Sequence, residues 1–239
     1  MKRLWIISIF MGCVAAPLSA QQSTRGFLPL AEPLVALDSD EGRAMFMKSE
    51  AAPFWRLIQF YGIQPNLATC GVASCTMVLN SLPVERPVSP DHGKFRLFTA
   101  GNFFTPAVSE IASRERVYKS GMSLAELGKI LATFPVEVST VPAEKVELAA
   151  FREELKRCTK GNQRLMLVNY LRKSLDQESG GHISPVAAYS PEQDRVLVLD
   201  VSTYKYPWVW VETEKLFAAM GTNGGANASR GYVIVEPRK

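Results

Sequence analysis

The sequence predicts an α+β fold, with helices in its first part and an antiparallel sheet in its second. Segments with helical periodicity or helix-capping residues lie before residue 160. Short β-branched and aromatic runs follow from residue 164, separated by Gly, Pro, Asp and Ser at hairpin-length gaps. Helices followed by such strands are typical of α+β proteins. The 239 residues, 47% of them hydrophobic, suffice to bury one substantial core.

The first twenty residues differ in character from the rest of the chain. Residues 1–3 are a short positive segment, an apolar run follows, and small residues precede Gln21. This pattern is typical of a secretory signal peptide over residues 1–20, with cleavage after Ala20. Lipoprotein processing at Cys13 is the alternative, although the residues before it fit that signal poorly. We expect a periplasmic or secreted protein with no membrane segment after cleavage.

Charge and cysteine content narrow the classes of function. Cleavage removes two basic residues and no acidic one, so the formal net charge falls from +4 to +2. The mature chain has neither a large positive charge nor a run of basic residues, which argues against nucleic acid as a partner. The mature chain keeps three cysteines, an odd number that leaves at least one unpaired or bridged between molecules. With only two histidines, His92 and His182, no zinc ligand set of familiar spacing is found.

Two helices are predicted in the first third of the chain. A short one lies around Glu41–Ser49. The second begins at Cys70 with "CGVASCTMVLNSL", which is small or apolar on nearly every side and therefore indicates a buried helix that ends before Pro83. The proline-rich stretch from residue 83 is expected to be irregular.

Two amphipathic helices precede the sheet. Ser123 and Glu126 have the spacing of a capping box at the start of the first. The second covers residues 143–158, where Glu153 and Arg157 are four apart and predicted to pair. Five strand-like runs follow: "RLMLVNYL", "HISPVAAY", "RVLVLDV", "WVWVE" and "GYVIVE".

Cys70 lies where the buried helix is predicted to start. A helix N-terminus lowers the pKa of a thiol, and its free amide groups can also face a developing oxyanion. Gly71 lets the backbone pack closely against whatever lies there. Cys75 is rotated well away from Cys70 on a helix and has apolar neighbours, so we interpret it as a packing residue. A disulfide between Cys75 and Cys158 stays open.

Three polar residues could serve a nucleophilic Cys70. His182 follows two glycines at the start of a strand, and Asp200 ends the next strand. Adjacent antiparallel strands could place this carboxylate beside the imidazole. Gln64, six residues before Cys70, could donate its amide to an oxyanion. Each has an ordinary structural interpretation by itself, but their order is that of papain-like cysteine peptidases and transferases. We therefore expect a papain-like fold with an N-terminal helical lobe and a C-terminal antiparallel sheet.

From Phe54 onward the chain resembles the catalytic domain of the phytochelatin synthases. The motifs that carry the resemblance are Cys-Gly-x-Ala-Ser leading into "VLN", Gly-His-x-Ser-Pro, and Leu-Asp-Val before Lys-Tyr-Pro. The resemblance implies that residues 21–239 form a single catalytic domain of this kind. It also implies a role for each polar residue: Cys70 is the nucleophile, His182 the general base, Asp200 its orienting acid and Gln64 the oxyanion donor.

The resemblance further implies substrate-binding residues. Arg230 precedes the last strand and would bind a substrate carboxylate, unless it is a solvated arginine at a strand edge. Asn169 and Gly181 would line the γ-glutamyl pocket. The chain ends at Lys239 without the cysteine-rich C-terminal domain of the plant enzymes, so it looks like the short bacterial branch of the family.

The implied reaction is cleavage of glutathione to γ-glutamylcysteine and glycine through a Cys70 thioester, with weaker transfer to a second glutathione. Hydrolysis would need no cofactor; whether transfer needs cadmium or zinc as a thiolate complex stays open, as does a homodimer. One alternative is an exported papain-like peptidase acting on other peptides. Another is a non-enzymatic periplasmic protein that binds thiols or metal through Cys70, Cys75 and Cys158.

Overall fold

The computed structural model describes residues 26–161, 163–178, 180–222 and 229–238. The predicted signal peptide lies outside these residues. The described α-helices are α1 (Asp40–Met47), α2 (Phe54–Leu57), α3 (Cys70–Ser81), α4 (Pro106–Ile111), α5 (Arg114–Ser120), α6 (Leu124–Leu131), α7 (Leu148–Lys160) and α8 (Thr213–Met220). The described strands are β1 (Val35–Ala36), β2 (Val136–Pro142), β3 (Leu165–Leu171), β4 (Gly181–Ser190), β5 (Arg195–Val198), β6 (Val209–Glu212) and β7 (Gly231–Pro237).

The strands form one sheet in the order β1-β6-β5-β4-β3-β7-β2, and each neighbouring pair is antiparallel. The prediction of an α+β fold with an antiparallel sheet is therefore confirmed. The register places Tyr170 of β3 opposite His182 of β4. It also places Asn169 of β3 opposite Gly231 of β7. The pairing of β4, β3 and β7 thus brings His182, Asn169 and Arg230 to one region of the sheet.

Helices and strands are less segregated than predicted. Strand β2 lies between α6 and α7, where no strand was predicted, and forms a sheet edge with several exposed side chains. Helix α8 separates β6 from β7, because Leu216 and Met220 pack beneath the sheet. The predicted ion pair of Glu153 with Arg157 is wrong. Glu153 pairs with Lys156, and Arg157 pairs with Glu154, both at a spacing of three residues.

Apolar clusters cover both faces of the sheet. Alternate residues of β3 belong to different clusters: Leu167 faces the cluster that contains α3, and Val168 faces the one that contains α7 and α8. Helix α3 is buried along nearly its whole length, as its composition predicts. The capping box of Ser123 and Glu126 is also confirmed at the start of α6.

The thiols are divided between these clusters. Cys75 lies in the α3 cluster and Cys158 in the α7 cluster, on the opposite face of the sheet. Both are free thiols, as is Cys70, so the disulfide left open above is not formed. Burial, and then the charge of Cys70, raises the pKa of Cys75, which therefore stays neutral. None of the described helices has the length and apolar character needed to cross a bilayer.

Candidate active site

Cys70 is the first residue of α3 and has only 6% of its surface exposed. The loop before it is held by Asn66, whose side-chain oxygen accepts from the backbone amide of Ala68 and whose backbone amide donates to Thr69 Oγ1. The backbone amides of Gly71 and Ile183 donate to the Cys70 sulfur. A thiolate formed here therefore meets a helix N-terminus and two N–H donors.

Gly71 permits close packing beside the thiol. A Cβ at this position would lie 3.0 Å from Sδ of Met122 and 3.3 Å from Cδ1 of Ile183. These distances are shorter than ordinary van der Waals contacts, so a larger residue would displace its neighbours. Glycine thus allows the start of α3 to approach both the Ile183 strand and the loop before α6.

His182 links Cys70 to Asp200. It is the second residue of β4, and its Nε2 lies 2.9 Å from Oδ1 of Asp200. The imidazole also lies close enough to Cys70 for the two groups to shift each other's pKa. Because Nε2 faces the carboxylate, Nδ1 is the ring nitrogen left for the sulfur. The ring of Tyr170 meets the imidazole edge-on, with centroids 5.8 Å apart, and restricts its rotation.

Asp200 comes two residues after the end of β5, slightly later than the predicted strand end. Its side chain is almost fully buried. Oδ1 accepts from Nε2 of His182, from Nη2 of Arg172 at 2.8 Å and from the Ser202 amide at 2.7 Å. Burial alone would raise the pKa of Asp200, but the charges and hydrogen bonds of His182 and Arg172 hold it well below its usual range.

Arg172 belongs to the site although the sequence analysis did not identify it. It begins a 3-10 helix directly after β3 and is 3% exposed. Its Nη2 lies 2.6 Å from Oδ2 of Asp200, its Nη1 donates to Gln177, and its guanidinium lies over the ring of Tyr206. Nη2 is also 3.0 Å from Nε2 of His182. Since both nitrogens donate to Asp200, this carboxylate is the acceptor that holds two cationic groups together.

The thiol and the imidazole shift each other's pKa. Burial would raise the pKa of Cys70, but the hydrogen bond and charge of His182 lower it below the ordinary thiol value. Burial would lower the pKa of His182, but Asp200 and the hydrogen bond to Cys70 outweigh it and raise that pKa. Together these directions favour a thiolate beside an imidazolium near neutral pH, which is the reactive form of a cysteine nucleophile.

Gln64 is buried close to the loop before Cys70, and its amide is fully occupied. Its Nε2 donates to the carbonyl of Asn66 at 2.6 Å and to the hydroxyl of Tyr204 at 3.0 Å. Its Oε1 accepts from Ser202 at 2.9 Å. Gln64 is not among the residues that line the cavity beside Cys70, and both N–H groups of its amide are engaged, so it could serve an oxyanion only by exchanging one of these two contacts.

A cavity of about 530 Å³ opens beside Cys70 and His182, and Arg230, Asn169 and Gly181 line it. Nη1 of Arg230 donates to Oδ1 of Asn169 at 3.0 Å, while its Nε has no hydrogen-bond partner in the described part of the chain. No carboxylate of the described residues pairs with this guanidinium, whose pKa burial lowers. An arginine in this state is suited to bind a carboxylate from a ligand.

Gly181 makes room for that guanidinium. A Cβ on Gly181 would lie 2.6 Å from Nη1 of Arg230, which is closer than two such atoms can approach. Gly181 and Asn169 together therefore determine where the head group of Arg230 lies.

The segment from α5 to α6 also lines the cavity and contributes charged residues that were not predicted from the sequence. Arg116 pairs with Glu126 at 2.7 Å and donates to the Gly121 carbonyl, and Lys119 lies beside them. The only other histidine, His92, bonds to Ser89 and does not line the cavity.

The described residues contain no cluster of three His, Cys, Asp or Glu side chains that could hold a metal ion. Cys158 lies across the sheet from the other two thiols. The structure therefore does not bring Cys70, Cys75 and Cys158 together as a soft-metal site, as the non-enzymatic alternative requires.

Comparisons of this chain with a family model and with curated proteins all indicate the same family. The phytochelatin synthase family model matches residues 26–232. Glutathione gamma-glutamylcysteinyltransferase 3 of Lotus japonicus is 30% identical over 212 residues, which are 87% of this chain and 43% of that protein. The corresponding transferase 1 of Triticum aestivum is 29% identical, over 86% of this chain and 41% of its own length. The transferase of Schizosaccharomyces pombe is 28% identical, over 85% and 49%.

The chain spans less than half the length of these curated relatives, so the similarity concerns one part of each of them. Within the chain, the matched region contains Cys70, His182 and Asp200 as well as Arg230. Since the family model covers most of its residues, the chain belongs to the phytochelatin synthase family.

Proposed function

We propose that this protein cleaves the Cys–Gly peptide bond of glutathione and forms a γ-glutamylcysteinyl thioester on Cys70. The observation that carries the proposal is the buried series Cys70–His182–Asp200, which opens onto the cavity containing the unpaired guanidinium of Arg230. The relatives named above are glutathione gamma-glutamylcysteinyltransferases, which agrees with this substrate.

In the first step the Cys70 thiolate attacks the carbonyl carbon of the Cys–Gly peptide bond. The carbonyl electron pair moves to oxygen and forms an oxyanion, which the Cys70 backbone amide and the Gln64 amide stabilise. The imidazolium of His182 gives its proton to the glycine nitrogen, and the C–N bond breaks as glycine leaves. Asp200 and Arg172 hold the imidazole in place throughout.

Gln64 must release one contact in order to serve the oxyanion. The Asn66 carbonyl belongs to the backbone, whereas Tyr204 is 44% exposed and can move away. We therefore assign the Tyr204 contact as the one that the oxyanion replaces.

In the second step the neutral His182 takes a proton from a nucleophile that attacks the thioester. Water as the nucleophile gives γ-glutamylcysteine and restores the Cys70 thiol. The α-amino group of another glutathione instead gives a longer γ-glutamylcysteinyl peptide. Whether an acceptor glutathione occupies the site beside the thioester decides between the two products. We propose that a cadmium or zinc thiolate complex of glutathione serves as such an acceptor and is not a resident cofactor.

Substrate recognition is assigned to the wall formed by Arg230, Asn169 and Gly181. The α-carboxylate of the γ-glutamyl group would pair with Arg230, which forms no ion pair with a carboxylate of the described residues. Asn169 accepts a hydrogen bond from this guanidinium and lines the cavity, so it would line the γ-glutamyl pocket.

Three broader assignments accompany this function. We propose that the helices before β2 and the antiparallel sheet correspond to the two parts of a papain-like enzyme, within one catalytic domain over residues 21–239. We propose export to the periplasm or beyond after removal of residues 1–20. We also propose that two copies of the chain form a homodimer.

The test is product analysis with glutathione, with and without cadmium or zinc. We expect release of glycine and γ-glutamylcysteine without metal, and a larger share of chain-extended product with it. Glycine release from an unrelated peptide but not from glutathione would contradict the proposed substrate and favour the general peptidase.

A further inference from the structure

Every second residue from Asp200 to Tyr204 contacts a residue of the candidate active site. Asp200 accepts from His182 at 2.9 Å. Ser202 donates its hydroxyl to Oε1 of Gln64 at 2.9 Å, and Tyr204 accepts from Nε2 of the same amide at 3.0 Å. One short segment after β5 therefore contacts both the group that would move the proton and the group that would bind the oxyanion.

Ser202 has a double role within this segment. Its backbone amide donates to Oδ1 of Asp200 at 2.7 Å, while its hydroxyl donates to Gln64. Ser202 and Gln64 are 2% and 3% exposed, so solvent cannot readily replace the bond between them. Removing the hydroxyl would leave Oε1 of Gln64 a buried acceptor without its donor, which is unfavourable.

The orientation of the Gln64 amide matters because its two ends have opposite character. The nitrogen donates two hydrogens, whereas the oxygen only accepts. An amide rotated by half a turn would present its oxygen in place of a donor and repel an oxyanion. The Asn66 carbonyl can only accept and therefore selects the nitrogen end, which leaves the oxygen end to accept from the hydroxyl of Ser202.

We infer that Ser202 is a positioning residue, whose hydroxyl keeps the amide of Gln64 in the orientation that serves the oxyanion. The inference rests on the proposed function in that Gln64 is the oxyanion donor there. Ser202 acts through Gln64 and does not contact the substrate. Its backbone bond to Asp200 fixes it relative to the carboxylate that orients His182.

The test compares Ser202→Ala with the wild-type protein in the rate of Cys70 acylation. Two probes are used: glutathione, and p-nitrophenyl acetate, which also reacts through an oxyanion but does not need the γ-glutamyl pocket. We expect acylation to be about three- to tenfold slower with both probes, the range for one neutral hydrogen bond. The KM for glutathione should stay unchanged. The alanine variant keeps the backbone amide that donates to Asp200.

Two controls separate positioning from general distortion. Ser81→Ala removes another buried serine hydroxyl. Ser81 is the last residue of α3 and donates to the backbone carbonyls of Arg56 and Met77, so its removal should leave both rates unchanged. In a Gln64→Ala background, Ser202→Ala should have no further effect, because the amide it positions is gone. The pH dependence of Cys70 alkylation by iodoacetamide should also be unaffected by Ser202→Ala.

Several results would overturn the inference. They are an unchanged acylation rate in Ser202→Ala, equal slowing with and without Gln64, or an altered alkylation profile. A wild-type protein that reacts with the aryl ester but forms no acyl-enzyme from glutathione would contradict the proposed substrate alone. The aryl ester would then still test Ser202.

Discussion

Arg172 and His182 donate to the same oxygen of Asp200, from 2.8 and 2.9 Å. This carboxylate therefore holds a guanidinium and an imidazole side by side in the interior. The three groups are each less than 5% exposed, so their charges are screened little by solvent. The arrangement fixes the imidazole for Cys70, and it also makes Asp200 dependent on both of its partners.

The buried pair of Arg172 and Asp200 should be important for stability. In Arg172→Gln the buried carboxylate of Asp200 keeps His182 but loses the charge of the guanidinium. Removal of one partner of a buried ion pair lowers the free energy of unfolding by about 3–5 kcal/mol. Urea unfolding followed by circular dichroism measures this loss. The matched control is Arg152→Gln, whose pair with Asp194 is about one-third exposed on each side and should cost about 1 kcal/mol or less. Equal losses in both variants would contradict the account.

The thiol–imidazole pair predicts a pH profile for alkylation of Cys70 by iodoacetamide. Because the pKa of Cys70 is lowered, alkylation should persist as pH falls below the ordinary thiol range and be lost only through that lowered pKa. His182→Gln keeps much of the side-chain volume but cannot become charged. Burial then raises the pKa of Cys70 without the opposing effect of an imidazolium, so the alkylation profile should move to higher pH. An unchanged profile in this variant would show that His182 does not activate the thiol.

The same shifts predict a bell-shaped pH dependence for acylation. The acid limb follows protonation of Cys70, and the basic limb follows deprotonation of His182, whose pKa is raised above its ordinary value. The two limbs belong to the coupled pair rather than to single residues. Measuring glycine release under single-turnover conditions between pH 5 and 10 checks this window, taken as roughly the range over which such pairs titrate. A flat profile would contradict the assignment.

Arg230 should determine the affinity for substrate. Arg230→Gln removes the charge that would pair with the γ-glutamyl carboxylate, so KM should rise about 10- to 100-fold, as for loss of a charge-assisted hydrogen bond. Gly181→Ala should act in the same direction, because its Cβ would displace the guanidinium. Arg116→Gln, which removes another arginine that lines the cavity, serves as the matched comparison in steady-state kinetics. A similar rise in KM for Arg116→Gln, with none for Arg230→Gln, would reverse the orientation of the substrate.

The sequence predicted those parts of the site that depend on local structure or on neighbouring strands. Cys70 could be placed at a helix start because small and apolar residues follow it. His182 and Asp200 could be placed together because their strands are consecutive and antiparallel. The role of Gln64 as oxyanion donor stays a prediction, and its contacts with Ser202 and Tyr204 depend on a loop that periodicity does not describe.

Other features needed the tertiary structure. Arg172 follows an apolar strand, where a charged residue normally marks the solvated end of the strand; only the fold shows it buried against Asp200. Strand β2 and helix α8 were not predicted, and the sheet edge and core that they pack against are distant in sequence. The pair of Arg116 and Glu126 joins α5 and α6 beside the cavity and has no local signal in the sequence.

Acyl-enzyme formation on Cys70 tests the central claim most directly. After brief exposure to glutathione, mass spectrometry of the intact protein and of its peptides should show one γ-glutamylcysteinyl group on Cys70. Cys75→Ala should retain this adduct, because Cys75 is a neutral thiol in the core, whereas Cys70→Ala should have none. An adduct or undiminished glycine release in Cys70→Ala would contradict the account.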